Sequence, residues 1–144
     1  MLITAGTKEK YNTMTASWGG LGVFWNKNAA TIYVRPQRYT KEFIDREDTF
    51  SLSFFEEQYR SALSLCGSVS GRDQDKITQA ALTGLFDEEA PYFQEASLVL
   101  ICRKLCHLDL DPGQFDQKQY DSTVYPGKDY HRMYLAEILK VLQK

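Results

Sequence analysis

The alternation of apolar and polar positions divides this chain into short strands separated by short helices. Leu2 to Ala5 reads as a strand, and Met14 to Trp18 as a second. In the second, Thr13, Thr15 and Ser17 fall on one face, with Met14, Ala16 and Trp18 on the other. Gly19, Gly20 and Gly22 then loosen the chain into a turn; their spacing is not that of a dinucleotide-binding loop. Ala30-Thr31-Ile32-Tyr33-Val34 is β-branched and aromatic, which predicts a strand. Pro36 cannot donate to a ladder and ends it. Thr40 stands where a helix N-cap is expected, with Glu42 in the first turn, so a helix is predicted over Thr40 to Arg46 with Phe43 as its inward anchor.

Thr49 to Phe55 alternates again, placing Phe50, Leu52 and Phe54 on one face. Tyr59, Ala62, Leu63 and Cys66 recur at helical spacing and predict a helix over Glu57 to Leu65. A turn from Gly67 to Gly71 follows, and Asp75 is placed to cap a short helix reaching Leu82. Ser97 to Asp109 is the longest strand candidate. Its apolar residues fall on both faces, so it belongs at the centre of a sheet or at an interface. Gly113 to Tyr125 is a polar excursion. The last stretch fits two periods: Leu135, Ile138, Leu139 and Leu142 suit a helix, whereas His131, Met133 and Leu135 suit a strand. Short strands with interspersed short helices indicate a mainly β barrel with helical connections.

A chain of 144 residues with 43% apolar content suits a single domain over 1–144. The net charge of −2 argues against broad attraction to nucleic acid or to an anionic membrane. No apolar run approaches the roughly 20 residues that span a bilayer, and no signal peptide is visible. Cys66, Cys102 and Cys106 are odd in number and lack CxxC spacing, which points to a reducing cytoplasm rather than a disulfide framework. Cys102, Cys106 and His107 do not supply four spaced ligands, so no metal site is expected. Cys66 reads as a structural thiol at a helix end.

Two segments carry candidate chemistry. Arg35 and Arg38 precede the predicted helix start at Thr40, where unpaired amides and a partial positive charge suit a phosphate. Arginine can hold phosphate oxygens in a bidentate fork, and the Thr40 hydroxyl adds a donor. The alternative is a solvated turn with two surface arginines. In the other segment, Asn12 to Trp18, short side chains let a flat ring approach the backbone, and hydroxyls can bond its edge. The alternative is an ordinary strand with a threonine-rich solvent face. With two histidines among scattered serines, a Ser-His-Asp set is not formed.

The run NTMTASWGGLGVFWNK, followed by VRPQRYT, CGSVSGRDQDK and YPGKDYH in that order, resembles the flavin reductase-like family with an FMN-binding split barrel, in its flavoredoxin-like branch. The resemblance covers nearly the whole chain. It implies a Greek-key split β-barrel that pairs as a homodimer, with FMN near the subunit interface. It implies that Asn12, Thr13, Met14, Thr15, Ala16, Ser17 and Trp18 line the flavin ring and that Arg35, Arg38, Tyr39 and Thr40 hold the phosphate. Cys66, Gly67, Ser70, Gly71 and Lys76 would close over the site, with Lys76 as a phosphate or ring partner. His131 would stand near the flavin and the nicotinamide as the candidate catalytic residue. The implied activity is hydride transfer from NADH or NADPH to flavin; the alternative is a non-enzymatic FMN-binding or electron-transfer protein. The same resemblance tips Arg132 to Ile138 toward a strand. Three features depart from the family pattern: Asn28 in place of a usual Pro, Ala136 in place of a frequent Gly, and a strand starting directly after Met1, as if an N-terminal element were lacking.

Overall fold

The structure is a computed structural model that describes residues 1–144. Its strands are β1 (Leu2–Gly6), β2 (Tyr11–Thr15), β3 (Gly19–Phe24), β4 (Lys27–Val34), β5 (Thr49–Phe54), β6 (Gly84–Leu85), β7 (Tyr92–Phe93), β8 (Leu98–Asp109) and β9 (Arg132–Gln143). Its α-helices are α1 (Tyr39–Arg46), α2 (Arg60–Ser68), α3 (Lys76–Gln79) and α4 (Gln119–Thr123). Seven strands form one antiparallel sheet in the order β2-β1-β5-β8-β9-β4-β3, and β6 pairs with β7 separately. None of the helices is long and apolar enough to cross a membrane.

The sheet curls around a core. Ile3 and Ala5 of β1, Ile32 and Val34 of β4, Phe50 and Leu52 of β5, Leu100 and Cys102 of β8, and Tyr134 and Ala136 of β9 share one cluster. Helix α1 fills this cluster with Phe43 and Ile44, while Thr40 is buried one turn earlier on the same face. The spacing of i, i+3 and i+4 is what an inward helical stripe requires. The opposite face of β1 is also covered, because Leu2 packs with Ala62 and Cys66 of α2 and with Leu82 and Phe93. Strand β8 is likewise apolar on both sides: Val99 and Ile101 pack with Ala90 and Ala96 away from the main core. The mainly β, split-barrel reading therefore holds, and so does the central place given to β8.

Several local expectations change. Gly19 to Phe24 is a strand, not a loosened turn; it pairs with β4 from Gly19↔Ile32 to Phe24↔Lys27. The reversal lies at Trp25 and Asn26, both at positive φ (50° and 59°), the backbone needed by a two-residue hairpin turn. The second strand ends at Thr15, so Ser17 and Trp18 lie beyond it and no three-hydroxyl ligand face forms. Thr13 instead points inward, donating to the Ile3 carbonyl at 3.1 Å and meeting the Thr4 hydroxyl at 2.9 Å. Helix α1 starts one residue early, with Arg38 at the N-cap and no side-chain cap bond; Thr40 is inside the first turn. Helix α2 runs through Gly67 to Ser68, while α3 stops at Gln79. Asp75 does cap α3, accepting from the Thr78 amide. The polar excursion contains α4. The final segment is a strand as far as Gln143, paired along its length with β8. Ladder pairing on both sides of Arg132–Glu137 outweighs the accidental helical spacing of the leucines.

Gly6 closes the β1–β2 turn at a φ of 128°, where an added Cβ would collide with the Lys10 carbonyl and with Tyr11. Gly22, on β3, has open space around it. Gly6→Ala should lower unfolding free energy by about 1–3 kcal/mol in urea titrations. Gly22→Ala should change it by less than about 0.5 kcal/mol. Equal effects would contradict the turn geometry.

Candidate functional site

Helix α1 begins where helix α2 ends, and a hollow of about 160 Å³ lies between them, lined by Arg38, Tyr39, Thr40, Ser68, Ser70 and Lys76 among others. Arg38 donates through Nη1 to the Gly67 carbonyl at 2.8 Å. Its Nη2 is buried and has no partner. Lys76 is only 3% exposed and donates through Nζ to the carbonyls of Cys66 (2.9 Å) and Val69 (3.0 Å). These are the carbonyls at the negative end of α2, so the two cations act as its C-terminal cap.

Neither cation has a carboxylate partner. Of the seven arginines, the other six each pair with an Asp or Glu. Burial lowers the pKa of Arg38. Burial also pulls Lys76 down to about 8; the Cys66 thiol opposes this and the Arg38 charge adds to it. Thr40 accepts from Asn12 Nδ2 at 2.9 Å, which leaves its own hydroxyl proton uncommitted. An orphaned guanidinium nitrogen, a buried ammonium, a free hydroxyl proton and an uncapped helix start together offer the donors and the positive charge that an anion requires.

A second hollow of about 240 Å³ adjoins the first through Arg38, which lines both. Its walls are Met14, Thr15, Ala16, Ser17, Trp18, Tyr33, Arg35, Arg38 and His131. Trp18 is 46% exposed, and its ring centroid lies 4.5 Å from that of His131 at 33°. The Thr15 hydroxyl is taken by the Leu63 carbonyl of α2. Arg35 is held by the Asp129 carboxylate and by the Val124 carbonyl at 3.0 Å. His131 Nδ1 meets the Tyr125 hydroxyl at 2.8 Å. Burial, helped by Arg35, lowers the His131 pKa, so its imidazole is neutral near pH 7. The hollow is thus aromatic at its Trp18–His131 end, where Arg35 is balanced by Asp129, and positive where Arg38 lines it.

The structure brings Met14 to Trp18 and His131 together around one hollow, and Arg38, Tyr39, Thr40, Ser70 and Lys76 around the other. Arg35 lines the second hollow with Met14 to Trp18, not the first beside Thr40. Asn12 and Gly71 pack on each other, leaving no room for a Cβ at Gly71. With Tyr39 and Lys76 they edge a third, more polar hollow of about 560 Å³. Thr13 reaches none of these hollows. Cys66 and Gly67 contribute carbonyls; the Cys66 thiol is fully buried and its pKa is raised by that burial. Tyr33 and Tyr125 were not singled out from the sequence. Tyr33 stands two residues before Arg35, a spacing that puts both on one strand face. Tyr125 opens the YPGKDYH segment, but nothing in that segment by itself assigns it a place beside His131. No group of three or more His, Cys, Asp or Glu side chains is placed to hold a metal.

A curled antiparallel sheet with this pair of hollows defines a split-barrel protein of the flavin reductase-like type. The chain belongs to the family described as the flavin reductase like domain, which matches residues 1–142. It is similar in structure to flavoredoxin from Methanosarcina acetivorans, with 25% identity and a TM-score of 0.76, covering 99% of this chain and 67% of that one. It is similar in fold to the FMN-binding protein from Thermus thermophilus with bound 1-cyclohex-2-enone (19% identity, TM-score 0.75, 99% and 68% covered). It shares that fold with nitrilotriacetate monooxygenase component B from Bacillus cereus (16% identity, TM-score 0.76, 99% and 67% covered). The chain therefore spans about two-thirds of the length of each of these three. Among curated proteins no sequence match is found.

The Lys76 environment predicts a pH effect. Its folded pKa of about 8 lies below the ordinary 10.5. Between these values the unfolded chain keeps a proton that the folded chain has released, so stability rises with pH. Below about pH 8 both forms are protonated and the burial penalty is at its full size. Urea unfolding of wild type and Lys76→Met at about pH 8 and about pH 10 isolates the effect. Wild type should gain on the variant by on the order of 2 kcal/mol across that window. A constant difference would contradict it.

Proposed function

We propose that this chain binds FMN across the two joined hollows and passes hydride from NADH or NADPH to it. The observation that carries the reading is the buried, unpartnered Nη2 of Arg38 beside Lys76, with no carboxylate to neutralise either. A dianionic phosphate ester supplies the missing acceptor and the missing charge. Arg38 lines both hollows, so a phosphate held there leaves the rest of its bearer in the space bounded by Met14 to Trp18.

Bound there, FMN would supply the two-electron redox chemistry. The chain's own residues bind, orient and tune. Arg38, Lys76, Thr40 and the first amides of α1 hold the phosphate. The backbone from Met14 to Ser17 borders the ring. Trp18 and His131 form an aromatic end wall, where a nicotinamide would be placed. Arg35, balanced by Asp129, adds little net charge to that end. The reading assigns no protein nucleophile.

The edge strand β3 and its turn present Leu21, Val23, Phe24 and Trp25 to solvent, with Val23 73% exposed. An exposed apolar edge of this kind invites cover, and we assign it to a second copy of the chain in a homodimer. Three unpaired cysteines suit a reducing compartment such as the cytoplasm.

Freshly purified protein should be yellow, and NADH or NADPH should bleach it without oxygen. A colourless protein that does not take up added FMN would reject the reading. Flavin bound without nicotinamide turnover would favour an electron-transfer role instead. Arg38→Ala should weaken FMN about ten- to a hundredfold in a fluorescence titration, from the loss of one charge-assisted contact.

A further inference from the structure

Tyr125 is 3% exposed, and its ring is clamped on several sides. The Arg35 guanidinium lies 5.2 Å from the ring centroid, and Tyr130 and Phe115 pack at 5.0 and 6.0 Å. Arg35 is itself fixed by Asp129 and the Val124 carbonyl. The phenol therefore cannot swing away from His131. Its hydroxyl reaches one acceptor, His131 Nδ1 at 2.8 Å. If Nδ1 carried the proton, the phenol proton would be buried with no acceptor, which folded proteins avoid. The phenol must donate, and the imidazole proton is then on Nε2. That nitrogen has no protein partner and is not fully buried, and His131 lines the hollow beside Met14 to Trp18.

We propose that Tyr125 is a positioning residue that locks His131 in its Nε2–H form, a neutral hydrogen-bond donor aimed at a carbonyl or anionic oxygen in the ring hollow. The tautomer does not depend on any guest; the donor's use rests on the flavin reading above. Arg35, Asp129 and Tyr125 are the ionisable groups that act on the imidazole. His131 then cannot serve as a base through Nε2 while this bond is intact. It can only donate, which favours oxygen acceptors over groups that need a proton removed.

Long-range proton–nitrogen correlation spectra of the labelled full chain, without ligand and near neutral pH, read the tautomer directly. Wild-type His131 should show one tautomer with the proton on Nε2. Tyr125→Phe should shift His131 toward a mixture with Nδ1–H. His107, exposed on β8, should be identical in both and serves as the internal control. A wild-type proton on Nδ1, or an unchanged tautomer in the variant, would overturn the proposal. The wild-type spectrum decides the first point even if the variant does not fold. With FMN bound, Tyr125→Phe should slow reduction by nicotinamide about tenfold, the loss expected for one hydrogen bond made in the reaction. An unchanged rate overturns the donor role. Failure of FMN to bind wild type rejects the flavin reading and leaves the tautomer result standing.

Discussion

Two cations held by carbonyls rather than carboxylates organise this molecule. Arg38 and Lys76 converge on the last turn of α2, where Cys66, Gly67 and Val69 expose their oxygens. Carbonyl dipoles satisfy some of the N–H groups without cancelling the charge. A buried charge that is solvated but not neutralised is costly. The cost shows in the downward displacement of both pKa values. It also explains why α2 must be fixed so firmly. Ala62 and Cys66 anchor the helix on Leu2 and Phe93, so the carbonyl end cannot drift from the cations.

The frame behind this is β1, which is buried on both faces. Its inner residues, Ile3 and Ala5, face the curled core and α1; Leu2 faces α2. One five-residue strand therefore sets the distance between the start of α1 and the end of α2. Strand β2 runs antiparallel to it and delivers Met14 and Thr15 to the Trp18–His131 hollow at the strand's exit. Gly67 sits within α2 with Thr15 Cβ only 3.2 Å from where its own Cβ would be. The end of α2 thus comes close to the Thr15 side chain because Gly67 has none.

Much of this was legible from the sequence because the strands obey simple patterns. Phe50, Leu52 and Phe54 alternate, and Ser97 to Asp109 is apolar on both sides, so β5 and the central β8 could be placed. Arg38 and Thr40 could be grouped from the segment that starts α1, whereas Lys76 entered only through the family resemblance and Arg35, grouped with them, lines the other hollow. What escaped has physical causes. Trp25-Asn26 lacks the glycine that usually marks a two-residue hairpin, so β3 was hidden in a glycine-rich run. Thr13 and Thr15 look ligand-ready in one dimension, but backbone carbonyls of Ile3 and Leu63 claim their hydroxyls in three. Arg35 looks equivalent to Arg38 until Asp129, 94 residues away, is seen to take it. Long-range pairing decides which polar groups remain free, and no local pattern records it.

That pairing also separates the two ends of the site by charge. At the α1 end, Arg38 and Lys76 leave two positive charges unanswered. At the Trp18–His131 end, Arg35 is balanced by Asp129, and the lowered pKa keeps His131 neutral. The potential therefore rises along the trough from the aromatic wall to the helix tips. A guest with a flat neutral head and a dianionic tail has one favourable orientation in such a gradient. Reversing it would bring phosphate against an aromatic wall and leave both cations buried and unpaired. Charging His131 below its lowered pKa would flatten the gradient, so orientation is most strongly enforced where the imidazole is neutral. Orientation is thus set by which cations have partners, not by how many cations there are.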